Sequence, residues 1–269
     1  DGFTVGNDGA VNGSGDTYCS WNWKAGTSVS GNTGGSGTAK TYTGSVSTDA
    51  GFSIIRYIGN GTAGHTIPHH LGTTPAWVIA RTISAAKEWD VYHHENTSSP
   101  ETDYLVLNTT AATTDASDKW NDTAPTSSVV TLGESSQLNT NDGTCIMYAF
   151  AEKKGYSKFG SYIGNANTNG PFVYCGFRPA WIMVKATDAA KSWYMWDSKR
   201  AGGSNLNNDQ LLADTNDTEF DGSNIDMLSN GFKFRSSGTG EQGSGTNYVF
   251  MAFAEFPFVS SGGIPCTAR

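Results

Sequence analysis

Glu88, Asp90 and Tyr92 stand at alternate positions in the stretch KEWDVYHHE, residues 87–95. On a strand, alternate residues share a face with a rise of about 6.6 Å per pair, so these three line one side while Trp89 and Val91 occupy the other. Two carboxylates at that separation have the spacing to divide the acid and nucleophile roles of glycoside cleavage. All five histidines, His65, His69, His70, His93 and His94, fall in the same half of the chain. Imidazoles gathered by a fold can hold zinc, copper or nickel, but this spacing matches no recognised ligand pattern. Asp214, Asp217, Glu219, Asp221 and Asp226 crowd another region. There DTEFDG approaches the start of a calcium loop and lacks the bidentate Glu such a loop needs.

KEWDVYHHE also resembles the catalytic strand of laminarinase-type β-glucanases, which are jelly rolls carrying Glu-x-Asp-x-(x)-Glu. The resemblance stops at the third position, where Tyr92 and His93 replace the acid/base Glu and Glu95 comes too late. Glu88 and Asp90 are therefore read as solvated residues on an outer sheet face, with a glycan-degrading hydrolase as the alternative. No catalytic residue, metal site or cofactor is assigned. Gly238, Gly240 and Gly243 form a G-x-G-x-x-G in a polar loop between strands, where turn glycines are the reading.

Aromatic side chains offer a different chemistry, because flat rings on a sheet face stack on sugars or cover a protein partner. Tyr92, Tyr194 and Trp196 lie, by alternation, opposite the face that carries Trp89 and Trp193. Trp120 sits in the polar stretch SDKWNDTAP. With His93, these four are the ligand-binding candidates.

The elements that position them come in two copies. Tyr57-Ile58-Gly59-Asn60 returns as Tyr162-Ile163-Gly164-Asn165, Pro75-Ala76-Trp77 as Pro179-Ala180-Trp181, Trp89 as Trp193, and Ala149-Phe150-Ala151-Glu152 as Ala252-Phe253-Ala254-Glu255. The repeats run over 51–154 and 155–258. Residues 1–25 read as the closing hairpin of a truncated preceding repeat, because TYCSWNWKA parallels NYVFMAFAE. Residues 26–50, rich in Gly, Ser and Thr, read as a linker, and 259–269 as a tail. CIMYAFAE and YVFMAFAE are apolar on both faces, which predicts central strands covered on both sides. The fold class expected is all-β, with tandem antiparallel jelly-roll-like β-sandwich repeats.

Composition agrees: 33 Gly and 12% aromatic residues in a chain of 269 suit many short strands joined by polar turns. The net charge of -8, with no basic run, gives a phosphate backbone little to bind, so nucleic acid is not expected as a partner. No apolar stretch reaches the roughly 20 residues that span a bilayer, so membrane insertion is not expected. Cys19, Cys145, Cys175 and Cys266 show no paired metal-type spacing and read as free thiols.

The repeated wording GFSIIRYIGNGTAGHTIPHHLGTTPAWVIAR, YAFAEKKGYSKFGSYIGN and GPFVYCGFRPAWIMVK is similar to a repeat of tail-fibre and other virion appendage proteins of marine bacteriophages. The resemblance implies a virion location and a structural or host-attachment role. Its expected partners are other virion subunits, a homotrimer among them, and a host-surface glycan. A purely structural virion protein is a further alternative.

Overall fold

The structure is a computed structural model that describes residues 2–24, 26–200 and 206–257, so the tail and Cys266 lie outside the described residues. It is all-β, as the alternating patterns predict. Strands β1 (Thr27–Asn32), β2 (Gly34–Gly35) and β3 (Thr41–Ser47) precede the first repeat. Repeat A supplies β4 (Phe52–Ile58), β5 (His65–Pro68), β6 (Trp77–Thr82), β7 (Asp90–His93), β8 (Asp103–Val106), β9 (Thr114–Asp115), β10 (Val129–Leu132) and β11 (Thr144–Phe150). Repeat B supplies β12 (Ser157–Ile163), β13 (Phe172–Tyr174), β14 (Pro179–Ala186), β15 (Tyr194–Asp197), β16 (Leu206–Leu212), β17 (Phe220–Leu228), β18 (Gly231–Phe234) and β19 (Asn247–Ala254).

In repeat A the main sheet runs β1-β3-β4-β11-β6-β7-β8-β9, and a small sheet, β10-β5-β2, accompanies it. Repeat B keeps the same central order, β12-β19-β14-β15-β16, and continues through β17 and β18 to β13 in one sheet. The two strands read as apolar on both faces, β11 and β19, are central in both cases. Cys145, Met147 and Ala149 of β11 pack toward β5 and β10, within the first core. Phe150 points the other way, into a core shared with repeat B.

That shared core decides the architecture. Phe52, Trp77, Val91 and Phe150 of repeat A pack with Phe159, Met183, Trp193 and Met251 of repeat B. Val173, Phe232 and Phe234 close the far side of repeat B over Ile182 and Val184. The chain is thus two sandwiches set main sheet to main sheet, with an outer cover on each.

The recurring YIGN motif has a local cause. Tyr57 donates to the Leu138 carbonyl at 2.5 Å, and its counterpart Tyr162 donates to the Glu241 carbonyl at 2.5 Å. Two residues on, a Cβ at Gly59 would meet the Thr140 carbonyl at 2.3 Å, and one at Gly164 the Gly243 carbonyl at 2.3 Å. Only glycine lets the strand end approach its closing loop so closely in both copies.

Two segments depart from the sequence expectation. Residues 26–50, read as a linker, contain β1 and β3, and β3 pairs with β4 along its length. Tyr42 and Val46 alternate inward there and join the first core, a pattern hidden among small polar residues. Residues 2–24, read as a closing hairpin, carry the short helix α1 (Gly9–Asn12) and no strand. They lie against repeat B through Trp21 and Trp23, whose rings sit 6.1 and 5.5 Å from that of Trp181.

Candidate ligand groove

The aromatic candidates are in the cores. Trp120 belongs to a second short helix, α2 (Ser117–Trp120), which drives its indole fully under the outer cover of repeat A, edge-on to Tyr92 at 6.1 Å. Trp196 is likewise fully buried and donates to the Ser223 carbonyl at 3.3 Å. Half-buried Tyr194 stacks on it at 6.2 Å. His93 is buried edge-on against Trp77, and burial, helped by neighbouring His94, pushes its pKa well below the ordinary value. Its Nδ1 accepts the Glu95 N–H at 3.0 Å, which places the ring proton on Nε2. Alternation set Tyr92, Tyr194 and Trp196 on the face away from Trp193 and its repeat-A counterpart, where they lie. It carried no information on whether a second layer covers those faces.

Of the carboxylate pair, Glu88 keeps part of its surface exposed, with its N–H on Gln137 Oε1 at 3.1 Å, and Asp90 is corrected. Asp90 is not solvated but fully buried, with its Oδ2 3.1 Å from Lys119 Nζ. Burial raises its pKa to about 6 against the pull of Lys119. Lys119 also donates to Ser135 and lies over the Tyr104 ring at 4.7 Å. A polysaccharide does not reach this group from the surface. The histidines serve the fold: His65 bridges Asn139 and Thr33 at 2.9 and 2.7 Å, and His69 reaches the Thr126 carbonyl. Among the described residues no three His, Cys, Asp or Glu side chains converge as a metal site. Cys145 and Cys175 are buried free thiols, whereas Cys19 is exposed and lies outside any strand.

A groove of about 1010 Å³ does open on the surface, between residues 2–24 and repeat B. Its wall includes Asp16, Tyr18, Trp21, Arg200, Asp217 and Glu219. Tyr18 shapes the near side. Its hydroxyl accepts the Gly13 N–H and donates to the Gly9 carbonyl, each at 2.8 Å, while the ring stays half exposed. Asp8 caps α1 by accepting the Ala10 N–H at 2.9 Å.

Asp197, at the end of β15, organises the far side. It accepts the Trp21 indole N–H at 3.2 Å and Arg200 Nε at 2.6 Å, with the Lys199 and Arg200 N–H groups on its other oxygen. Burial pushes this carboxyl up, and the bonds from Arg200 and the two backbone groups outweigh it, holding the pKa below its ordinary value. Arg200 pairs in turn with Glu219 and lies 5.8 Å from the Trp21 ring. Its remaining nitrogen, Nη2, is buried without a partner among the described residues.

An aromatic ring beside carboxylates and a fixed guanidinium can stack on a sugar's C–H face while hydrogen bonding its hydroxyls. Sequence reasoning missed this set. Its parts are far apart in the chain, and the acidic loop 214–221 was weighed only as a cation loop. The alternating Trp21 and Trp23 in an otherwise polar segment were the available signal.

The fold and groove define a class: an all-β protein of two internally related sandwiches that share a core, with a polar-aromatic groove at its surface. The chain belongs to the family designated Domain of unknown function (DUF7483), whose model matches residues 1–257. No curated protein and no solved structure matches it.

Proposed function

We propose that this chain is a structural and host-attachment module of a virion appendage, a bacteriophage tail fibre, and that its groove takes a host-surface glycan. The observation that carries the reading is the half-buried Trp21 ring, held by Asp197 and Arg200 at a groove also lined by Tyr18, Asp217 and Glu219. The likeness of the repeats to those of phage tail fibres supports the virion setting. A small mosaic of rings, acids and one base binds single sugars weakly, and many copies on a particle convert weak sites into firm attachment.

The test is a glycan array made from host-derived polysaccharides, probed with the wild-type chain and with Trp21→Phe and Glu219→Gln variants. The wild type binds a subset of glycans. Glu219→Gln weakens that binding roughly tenfold, the scale of one charge-assisted hydrogen bond. Trp21→Phe keeps a stacking ring but loses the anchor to Asp197, and weakens it less. Absence of wild-type binding across the array refutes the attachment role and leaves a purely structural virion protein.

A further inference from the structure

The two repeats offer the same sheet positions in two settings. In repeat B the face of β12, β14, β15 and β19 turned toward repeat A is closed, and Phe159, Met183, Trp193 and Met251 are all buried. Two polar contacts seal it: Trp193 Nε1 donates to the Val106 carbonyl at 2.9 Å, and Lys185 Nζ to the Thr110 carbonyl at 3.1 Å. The counterparts in repeat A are Ile54, Ile79, Trp89 and Tyr148, and every one is only half-buried. Arg81 stands in the slot of Lys185, its guanidinium 4.8 Å from the Trp89 ring, as Lys185 lies 5.9 Å from Trp193. Its Nε reaches only the adjacent Thr82 carbonyl, at 3.4 Å. Trp89 Nε1 donates to nothing among the described residues. The donor pair is repeated, and among the described residues nothing stands where the Val106 and Thr110 carbonyls of repeat A accept from Trp193 and from Lys185, which also donates to the Lys191 carbonyl of its own repeat at 2.7 Å.

Residues 17–24 give an independent observation. They carry the last-strand pattern of β11 and β19 yet make no ladder. Trp23 occupies the slot of Phe150 and Phe253, and its ring lies 6.4 and 5.3 Å from theirs, while those two are 6.1 Å apart. Three equivalent residues meet at one place, as units arranged head to tail around an approximate three-fold axis would bring them. The Trp77 face of repeat A covers repeat B. The matching Trp181 face of repeat B is met by Trp21 and Trp23 instead.

We propose that the Trp89 face of repeat A is the seat of a third repeat of this same fold, which takes residues 17–24 as its last strand and closes a ring of three units; it would cover the Tyr18 and Trp21 wall of the groove, so glycan binding there belongs to the chain without it. That unit presents its own Trp77-like face, with two backbone carbonyls to accept from Trp89 and Arg81.

The test puts one further unit in place of residues 1–16, joining a copy of residues 155–246 directly to Thr17 so that residues 17–24 close it as β19 closes repeat B. Ile79→Cys, in a Cys19→Ser, Cys266→Ser background, reports on the face by its rate of alkylation. The extended chain reacts roughly tenfold or more slowly than the parent, because burial confines reaction to opened states. Adding Trp89→Glu to the extended chain restores the parental rate. Three results overturn the proposal: an unchanged rate in the extended chain, failure of the extended chain to fold where the parent folds, or a parent dimer that Trp89→Glu dissociates.

Discussion

Truncating the same repeat slot in each half, Trp193→Ala and Trp89→Ala, separates the contribution of the shared core from that of the repeat itself. Trp193 is fully buried: its ring lies 5.9 Å from Trp77, and its N–H is committed to Val106. Removing a buried Trp of this kind costs about 3–5 kcal/mol. Trp89 is half-buried and uncommitted, and its loss costs about 1 kcal/mol, the level of an ordinary surface-proximal change. At about 2–4 °C per kcal/mol for a chain of this size, Trp193→Ala lowers Tm by roughly 6–20 °C and Trp89→Ala by only a few degrees. Far-UV circular dichroism during urea and thermal unfolding reads both without depending on the indoles removed. Equal losses at the two positions refute the reasoning, because covering would then be irrelevant to what the slot contributes.

Three further outcomes follow from the buried ionisable groups. Asp90 keeps its proton to about pH 6 when folded, against an ordinary 3.8, so its contribution is full below pH 4 and is lost as pH rises through 6, a difference of about 3 kcal/mol. Asp90→Asn removes that dependence, and urea midpoints between pH 4 and 7 that keep the wild-type trend would contradict it. Lys185 runs the other way: burial lowers its pKa to about 8, so stability gains as pH rises from 8 toward 10, and Lys185→Met abolishes the gain in the same titration. Among Cys19, Cys145 and Cys175, only Cys19 reacts rapidly with a thiol reagent in the folded chain, as peptide mass spectrometry after brief labelling would show; prompt modification of Cys145 contradicts the packing.

The sequence made the repeat legible because the residues that recur, YIGN, PAW and AFAE, are those on which the sandwich closes. Period-2 alternation also placed Trp89 and Val91 on one side of β7 and Asp90 and Tyr92 on the other. What alternation does not encode is the covering layer. Trp120 reached the core through a one-turn helix, and Lys119 came with it to meet Asp90, a contact no spacing along KEWDVYHHE could reveal. The strands of residues 26–50 were obscured because Gly, Ser and Thr read as flexible even where Gly44 is needed for passage. A Cβ there would fall 2.3 Å from the Ile54 carbonyl of the neighbouring strand. The groove depends on residues from opposite ends of the chain, so its chemistry appears only once Arg200 and Trp21 are seen side by side.

The core shared by Trp77, Phe150, Trp193 and Phe253 has a mechanical consequence. Beads on a string yield one at a time, each keeping its own fold when its neighbour is pulled out. Here, extracting either repeat strips the apolar floor from the other, so a pulling force has no intermediate at which one half remains whole. The load is borne until both halves release together, one event where separate sandwiches would give two.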